Sequence, residues 1–253
     1  MGRGICGALL KVLRAGDYSC TVRRIWQHSP SMLALRVSSP EFVQEVHPVQ
    51  GEYLRCWFPS LENPNREEMR GYTITEVDEQ TGEFTLFVLL HTPYGPGSYW
   101  ATHAEVGDTF EFSYYGSHPF EVPSKIPQGF VFIGDAAGIP YINSVIEVLE
   151  GRFPIQIWLS RWHESDESIP LCSGENITVH WIEPTPEAML EKTKSWDWEG
   201  WFPHLVCEAK VLLPTRRYLL KETSVSKTFM HSHAYWVKGR AMGTTRDIRE
   251  VEN

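Results

Sequence analysis

With 253 residues, 42% of them hydrophobic, the chain is long enough for one large domain or two of ordinary size and can bury a sizeable core. A formal charge of −9, with 23 Lys and Arg dispersed among 32 Asp and Glu, excludes a nucleic-acid surface, which needs clustered cations to neutralise phosphates. No apolar run reaches about 18 residues, and the stretch from Ile5 to Leu10 is broken by glycine and followed by Lys11 and Arg14, so neither a membrane span nor a secretory signal is expected. The expected compartment is the cytoplasm. The cysteines (Cys6, Cys20, Cys56, Cys172 and Cys207) are odd in number and never spaced C-x-x-C, which points to neither a disulfide framework nor an iron–sulfur or zinc site.

The first half reads as short strands at 20–27, 32–38, 52–58, 71–77, 83–91 and 109–115, rich in β-branched and aromatic residues and several with period-two alternation. Between the fourth and fifth, the polar run Asp78-Glu-Gln-Thr-Gly82 predicts a hairpin loop whose glycine takes positive φ. Many short strands at close spacing predict a small antiparallel barrel. Pro, Ser and Lys then gather between Pro119 and Gly129, and the domain boundary is expected there, giving domains 1–123 and 124–253. Beyond it the expected order is a strand at 130–133, a helix opening at Pro140 and closing before Gly151, and strands at 154–162 and 177–182. A helix from Pro186, a helix at 204–221 and a strand at 234–237 follow. This rhythm predicts an α/β domain with a parallel sheet.

Two segments carry chemistry. Arg70-Gly-Tyr72-Thr73 opens a barrel strand and offers a cation for a phosphate, a π surface for a ring system and a hydroxyl near it, all of which a flavin uses. Alone, so short a pattern reads as an ordinary strand. The second segment is His91-Thr-Pro-Tyr-Gly95-Pro96-Gly97-Ser98-Tyr-Trp100-Ala101, followed by Val106-Gly107-Asp108. Its small residues let backbone N–H groups close on a pyrophosphate, and a helix starting after Gly-Ser turns its positive dipole end to that anion. As plain structure it is a Gly/Pro loop with Ser98 as the N-cap of a short helix and Trp100 in the core.

Together, R-x-Y-T and H-x-x-x-G-P-x-S-x-W-A with the following G-D resemble the FAD-binding half of the siderophore-interacting protein family, related in fold to ferredoxin reductases. The likeness runs from Val22 to about Arg249. It implies an N-terminal antiparallel FAD-binding β-barrel followed by a Rossmann-like α/β NAD(P)-binding domain. It further implies that Arg70, Tyr72 and Thr73 hold the isoalloxazine and adjoining phosphate, with His91 nearby, while Gly95, Ser98, Trp100 and Ala101 shape the pyrophosphate site. Gly134-Asp135-Ala136-Ala137-Gly138-Ile139-Pro140 resembles the family's G-D-E-T-A-x-P turn and places Gly134 and Asp135 beside the donor site. Ala136 and Ala137 stand where Glu and Thr are usual, which removes a carboxylate and a hydroxyl.

The segment Ala234-Tyr-Trp-Val-Lys238-Gly-Arg240-Ala241 resembles the family's W-V-x-G-E-x turn, with Arg240 in place of the glutamate. Lys238 and Arg240 offer charge for an anionic ferric siderophore or a nucleotide phosphate; alternatively, the turn has lost a nicotinamide role. The family's later G-Y-W motif is not met before Asn253, which implies a shortened C-terminus. The implied activity is FAD-dependent reduction of a ferric siderophore, with electrons from NAD(P)H or ferredoxin and iron leaving as Fe(II). A general NAD(P)H:flavin or quinone reductase, and a flavin- or siderophore-binding protein with little turnover, stay open beside it.

Arg161 after one strand favours a 2′-phosphate and Glu183 after the next opposes it, so NADH and NADPH are not separated by sequence. His231-Ser-His233 lacks a neighbouring carboxylate or cysteine and is assigned no metal. Trp196, Trp198 and Trp201, on an expected loop, are candidates for covering a ligand. Leu205, Val211, Leu212 and Leu219 read as the core stripe of a helix.

Overall fold

The computed structural model describes residues 2–63, 65–116 and 119–238, and Arg240 therefore lies outside the described residues. The described residues form two compact units, the first ending at Pro119 and the second beginning at Phe120. No helix among them is long and apolar enough to cross a membrane.

In the first unit α1 (Gly4–Val12) is followed by β1 (Gly16–Ser29), β2 (Met32–Ser38), α2 (Pro40–Val46), β3 (Tyr53–Pro59), β4 (Glu67–Asp78), β5 (Glu83–Leu89), α3 (Pro96–His103) and β6 (Thr109–Tyr114). The six strands close a barrel in the order β1-β2-β5-β4-β3-β6 with antiparallel neighbours, in agreement with the strand pattern. Closure leaves no unpaired edge, so short strands suffice. Alternating residues fill the interior, among them Val22, Leu54, Cys56, Ile74, Phe84 and Phe112. The β4–β5 hairpin turns through Gly82 at φ +69°, the conformation expected of it.

Helices α1 and α2 are absent from the sequence reading. Ser39 before Pro40 is the start signal of α2, but seven residues are too few to show a helical period. What fixes α2 is Phe42, which inserts among Tyr18, Phe84, Phe112 and Tyr114 with ring centroids 5.0–5.9 Å away. Just before α1, the Arg3 guanidinium lies against Glu67 at 2.9 Å, Asp17 at 3.4 Å and Glu111.

The second unit runs β7 (Gly129–Asp135), α4 (Ile139–Leu149), β8 (Ile155–Ser160), β9 (Ile177–Ile182), α5 (Pro186–Lys194), β10 (Trp201–Glu208), α6 (Ala209–Glu222) and β11 (His231–Trp236). Its sheet has the order β11-β10-β7-β8-β9 and every pair is parallel. All strands deliver their carboxyl ends to one edge, and the strand order reverses beside β7, where open α/β sheets take ligands. β7 is buried along its whole length, which is why it reads as a continuous apolar run.

Two expectations need correction. The helix expected at 204–221 begins only at Ala209, because Trp201–Glu208 pairs in parallel with β7 and β11 and is a strand. Leu205 thus belongs to β10 although it shares a core with Val211, Leu212 and Leu219 of α6. The three tryptophans, expected on a loop, pack against the core of the second unit. Trp198 is buried and its indole N–H donates to the Thr193 carbonyl at 2.8 Å, while Trp196 meets Trp201 edge-on at 5.1 Å and both pack on the Trp158 core.

Candidate functional site

The barrel gathers the two chemistry-bearing segments on one rim. β4 pairs with β3 so that Tyr72 faces Leu54 and Arg70 faces Cys56, and the two-residue period turns Thr73 to the opposite face, beside Tyr53. Arg70 donates to the Met69 carbonyl at 2.7 Å and to Glu68 at 3.0 Å. Burial raises the Glu68 pKa, but hydrogen bonds from Ser60 and Arg70 outweigh it and hold the carboxyl below its ordinary value. The Tyr72 ring stands edge-on to Phe58 at 6.1 Å. Burial pushes its phenol upward, so the hydroxyl keeps its proton at neutral pH.

Helix α3 approaches this pair with its N-terminus. Gly95 is the N-cap and Pro96 the first helical residue, so Ser98 stands at the third position and not at the N-cap where it was expected. From there its hydroxyl accepts from the Gly95 N–H at 3.0 Å, the returning half of a capping box. A Cβ on Gly95 would lie 3.9 Å from Arg70 Nε and 3.6 Å from His91 Nε2. His91 donates from Nδ1 to the Pro93 carbonyl at 2.7 Å, so in the neutral ring Nε2 is an acceptor on the Gly95 side. Trp100 and Ala101 act from behind: Trp100 packs on Phe58 at 5.4 Å and Phe110 at 5.2 Å, and Ala101 is buried in the barrel core.

A cation and an imidazole therefore meet the first turn of an eight-residue helix at Gly95, and a half-buried aromatic ring meets it at Gly97. The Gly95 N–H is taken by Ser98 and Gly97 lies under Tyr72 and Phe58, so what this turn offers a phosphate-bearing aromatic group is the positive end of the helix dipole beside Arg70. A cavity of about 570 Å³ between α1 and the barrel wall is lined by none of these residues.

In the second unit Gly134 and Asp135 end β7. A Cβ on Gly134 would come within 2.8 Å of Ile142 Cδ1, so the glycine lets α4 close on the sheet. Asp135 is 1% exposed and accepts from the N–H groups of Ala137 at 3.0 Å and Glu208 at 2.9 Å, and from the Trp236 indole at 2.8 Å. Burial pushes its pKa up to about 6 against the pull of these hydrogen bonds. The carboxylate is taken up by the chain's own donors, so it serves the sheet edge by holding the turn and β11 together.

Sequence reasoning missed Glu208. It is 1% exposed, caps α6 through Lys210 N–H at 2.6 Å and Val211 N–H at 3.3 Å, and accepts from the Lys238 N–H at 2.9 Å. An acid directly before a helix was the available signal, hidden by reading the helix as starting at His204. Lys238 lays its ammonium over the Trp162 ring at 4.6 Å, and Trp162 meets Trp236 edge-on at 5.4 Å. No group of three or more metal-ligating side chains occurs among the described residues.

Residues 57–114 match the family model of the siderophore-interacting FAD-binding domain, and residues 127–239 match that of the siderophore-interacting protein, together about two thirds of the chain. Over 247 residues, 97% of this chain, the sequence is 36% identical to the mycobactin import ATP-binding/permease protein IrtA of Mycolicibacterium smegmatis. The chain spans 29% of that relative's length. The siderophore-interacting protein SipS from Aeromonas hydrophila is similar with a TM-score of 0.74 at 22% identity, covering 89% of this chain and 93% of that one. A ferredoxin NADP+ reductase from Neisseria gonorrhoeae, solved with FAD and NADP, is similar with a TM-score of 0.62 at 15% identity, covering 87% and 99%. At these identities the solved structures speak for fold alone. With one family model on the barrel and the other on the parallel sheet, the chain belongs to the siderophore-interacting protein family.

Proposed function

We propose that the chain is an FAD-dependent reductase that frees iron from a ferric siderophore as Fe(II), with NAD(P)H or ferredoxin as the source of electrons. The observation that carries this reading is the meeting of Arg70 and His91 with the N-terminus of α3 at Gly95, and of Tyr72 with it at Gly97. When bound, FAD supplies the conversion of a two-electron donor's equivalents into single-electron transfers. Arg70 pairs with a cofactor phosphate, and α3 turns the positive end of its dipole to the pyrophosphate. Tyr72 supplies a ring edge and a protonated hydroxyl, Thr73 supports the strand from the other face, and His91 offers Nε2 as an acceptor. Lys238 provides positive charge at the carboxyl edge of the sheet for an anionic chelate, and Arg240 follows it in sequence.

No catalytic acid or base is required of the chain, because hard oxygen chelators hold Fe(III) far more tightly than Fe(II). A second reading, a flavin- or siderophore-binding protein with little turnover, is favoured by Ala136 and Ala137 and by the full engagement of Asp135 with the chain's own donors.

The test is the absorption spectrum of the purified protein, then anaerobic titration with NADH, NADPH or reduced ferredoxin, then addition of a ferric siderophore. A flavin spectrum that bleaches with donor and recovers with Fe(III) is expected. Flavin that bleaches but does not recover would leave the binding role, and a protein that takes up no FAD would sink both readings. Arg70→Ala should sharply lower FAD retention, with unchanged flavin content counting against the assignment.

A further inference from the structure

In a doubly wound sheet the turn after the first strand receives the pyrophosphate of a dinucleotide, and the end of the second strand meets the adenosine ribose. There a carboxylate accepts from a free 2′-hydroxyl, whereas an available arginine pairs with a 2′-phosphate. In the second unit β7 is the first strand and β8 the second, and their carboxyl ends pair Asp135 with Ser160. The ribose end of any such nucleotide therefore falls on Arg161 and the short turn Glu164–Ser168 that follows it. Arg161 is the sole cation in this stretch, since no other Lys or Arg occurs between positions 162 and 191.

That cation is already engaged. Arg161 Nη1 donates to Glu167 Oε1 at 2.6 Å, and its Nη2 lies 3.8 Å from Glu183 Oε1 on the loop after β9. Glu164 adds a third carboxylate to its surroundings. Arg161 thus faces three carboxylates, and the other cation near this strand end, Lys238, lies over the Trp162 ring at 4.6 Å. A 2′-phosphate, carrying nearly two further negative charges, would have to displace Glu167 while standing close to Glu183 and Glu164.

A second observation marks the same strand end as a place for a polar ligand. The Ser160 hydroxyl and one oxygen of Asp166 are buried without a hydrogen-bond partner, and each residue is 1% exposed. The Trp162 indole N–H is buried and unpartnered as well. Such groups are normally satisfied, and hydroxyl-rich ligands satisfy donors and acceptors together.

We propose that the end of β8 accepts a nicotinamide dinucleotide with a free ribose 2′-hydroxyl and rejects its 2′-phosphorylated counterpart, so that NADH and not NADPH is the donor. This rests on the reductase reading and on a nicotinamide donor within it. Glu167 and Glu183 are the specificity-determining residues, and they act by withholding Arg161.

The test is a titration of the full FAD-loaded chain with NAD+ and with NADP+, followed by calorimetry and by tryptophan fluorescence, to which Trp162 contributes. NAD+ should bind at least tenfold more tightly. A Glu167→Gln and Glu183→Gln double variant should shrink that ratio to threefold or less by freeing Arg161, and Arg161→Ala added to it should restore the preference for NAD+. Equal or tighter binding of NADP+ by the unaltered chain, a ratio unmoved in the double variant, or no binding of either nucleotide would each overturn the proposal. Dithionite-reduced protein mixed with a ferric siderophore separates the two failures. Rapid Fe(II) release without nucleotide binding would remove only the donor inference, whereas no Fe(II) release would remove the reductase reading itself.

Discussion

Gly97 offers a stringent check on how the rim is assembled. It is the second residue of α3 and is buried, and an added Cβ would overlap the Tyr72 hydroxyl oxygen. Its φ is not positive, so the backbone admits alanine, and helix propensity alone would favour that change by about 0.5–1 kcal/mol. The obstacle is packing. Tyr72 is braced by Phe58 at 6.1 Å, and Phe58 in turn by Trp100 at 5.4 Å and Phe110 at 5.6 Å. Forcing a packed ring aside costs about 1–3 kcal/mol, so Gly97→Ala should lose roughly 0.5–2 kcal/mol of stability on balance. Tyr72→Phe removes only the overlapping oxygen, and the nearest remaining atoms, Tyr72 Cζ and Phe58 Cε2, stand at 3.3 Å from the added carbon. In that background the loss from Gly97→Ala should shrink by about 1 kcal/mol or more. Urea denaturation of the four proteins measures the coupling. Purely additive effects would refute the stated contact and with it the account of how β4 and α3 are joined.

Further outcomes follow from the second unit. Asp135→Ala leaves the N–H groups of Ala137, Glu208 and Trp236 without their acceptor, and since the Glu208 donor is buried and the other two partly so, at about 1–3 kcal/mol for a buried orphan the loss should reach at least about 1 kcal/mol. A urea midpoint unchanged from the parent would contradict those bonds. His204 is fully buried, with neither ring nitrogen hydrogen-bonded, among Phe120, Phe130, Phe132, Tyr141, Phe202 and His231. Burial holds its pKa well below 6.5 and that of His231 at about 4, with the neighbouring histidine adding to the shift in each case. Both folded-state values are depressed, so the stability tied to neutral imidazole is complete above pH 6.5 and is lost as pH falls toward about 4. The slope is at most about 1.4 kcal/mol per pH unit for each histidine. Asp135 acts in the opposite sense, since a pKa raised from 3.8 to about 6 withdraws stability as pH rises through that interval. Urea midpoints between pH 7 and 4 should therefore fall less steeply in His204→Leu than in the parent, and an unchanged slope would rule out His204 as a source of the acid sensitivity.

Much of this architecture is written locally. The barrel strands, the hairpin at Gly82 and the parallel character of the second unit follow from two-residue alternation, turn chemistry and the rhythm of apolar runs, which neighbouring residues impose on one another. The residues that meet at the rim were legible for a related reason, because Arg70-Gly-Tyr72-Thr73 and Gly95-Pro-Gly-Ser98 each carry their chemistry within one short segment. Tertiary structure alone decided what depended on a distant partner. Trp201–Glu208 is a strand because β7 and β11 supply its hydrogen bonds on both sides, a fact no window around His204 contains. Trp198 is core and Trp196 and Trp201 pack on it half-buried because Trp158 of β8 and Met189 of α5 share that cluster. Asp135 gained its internal hydrogen bonds from donors on β10 and β11, 73 and 101 residues away in sequence. Arg161 likewise reads as a phosphate-binding cation until the fold sets Glu167 and Glu183 beside it, since charge is a property of the residue but its availability is set by whichever partners the fold brings near.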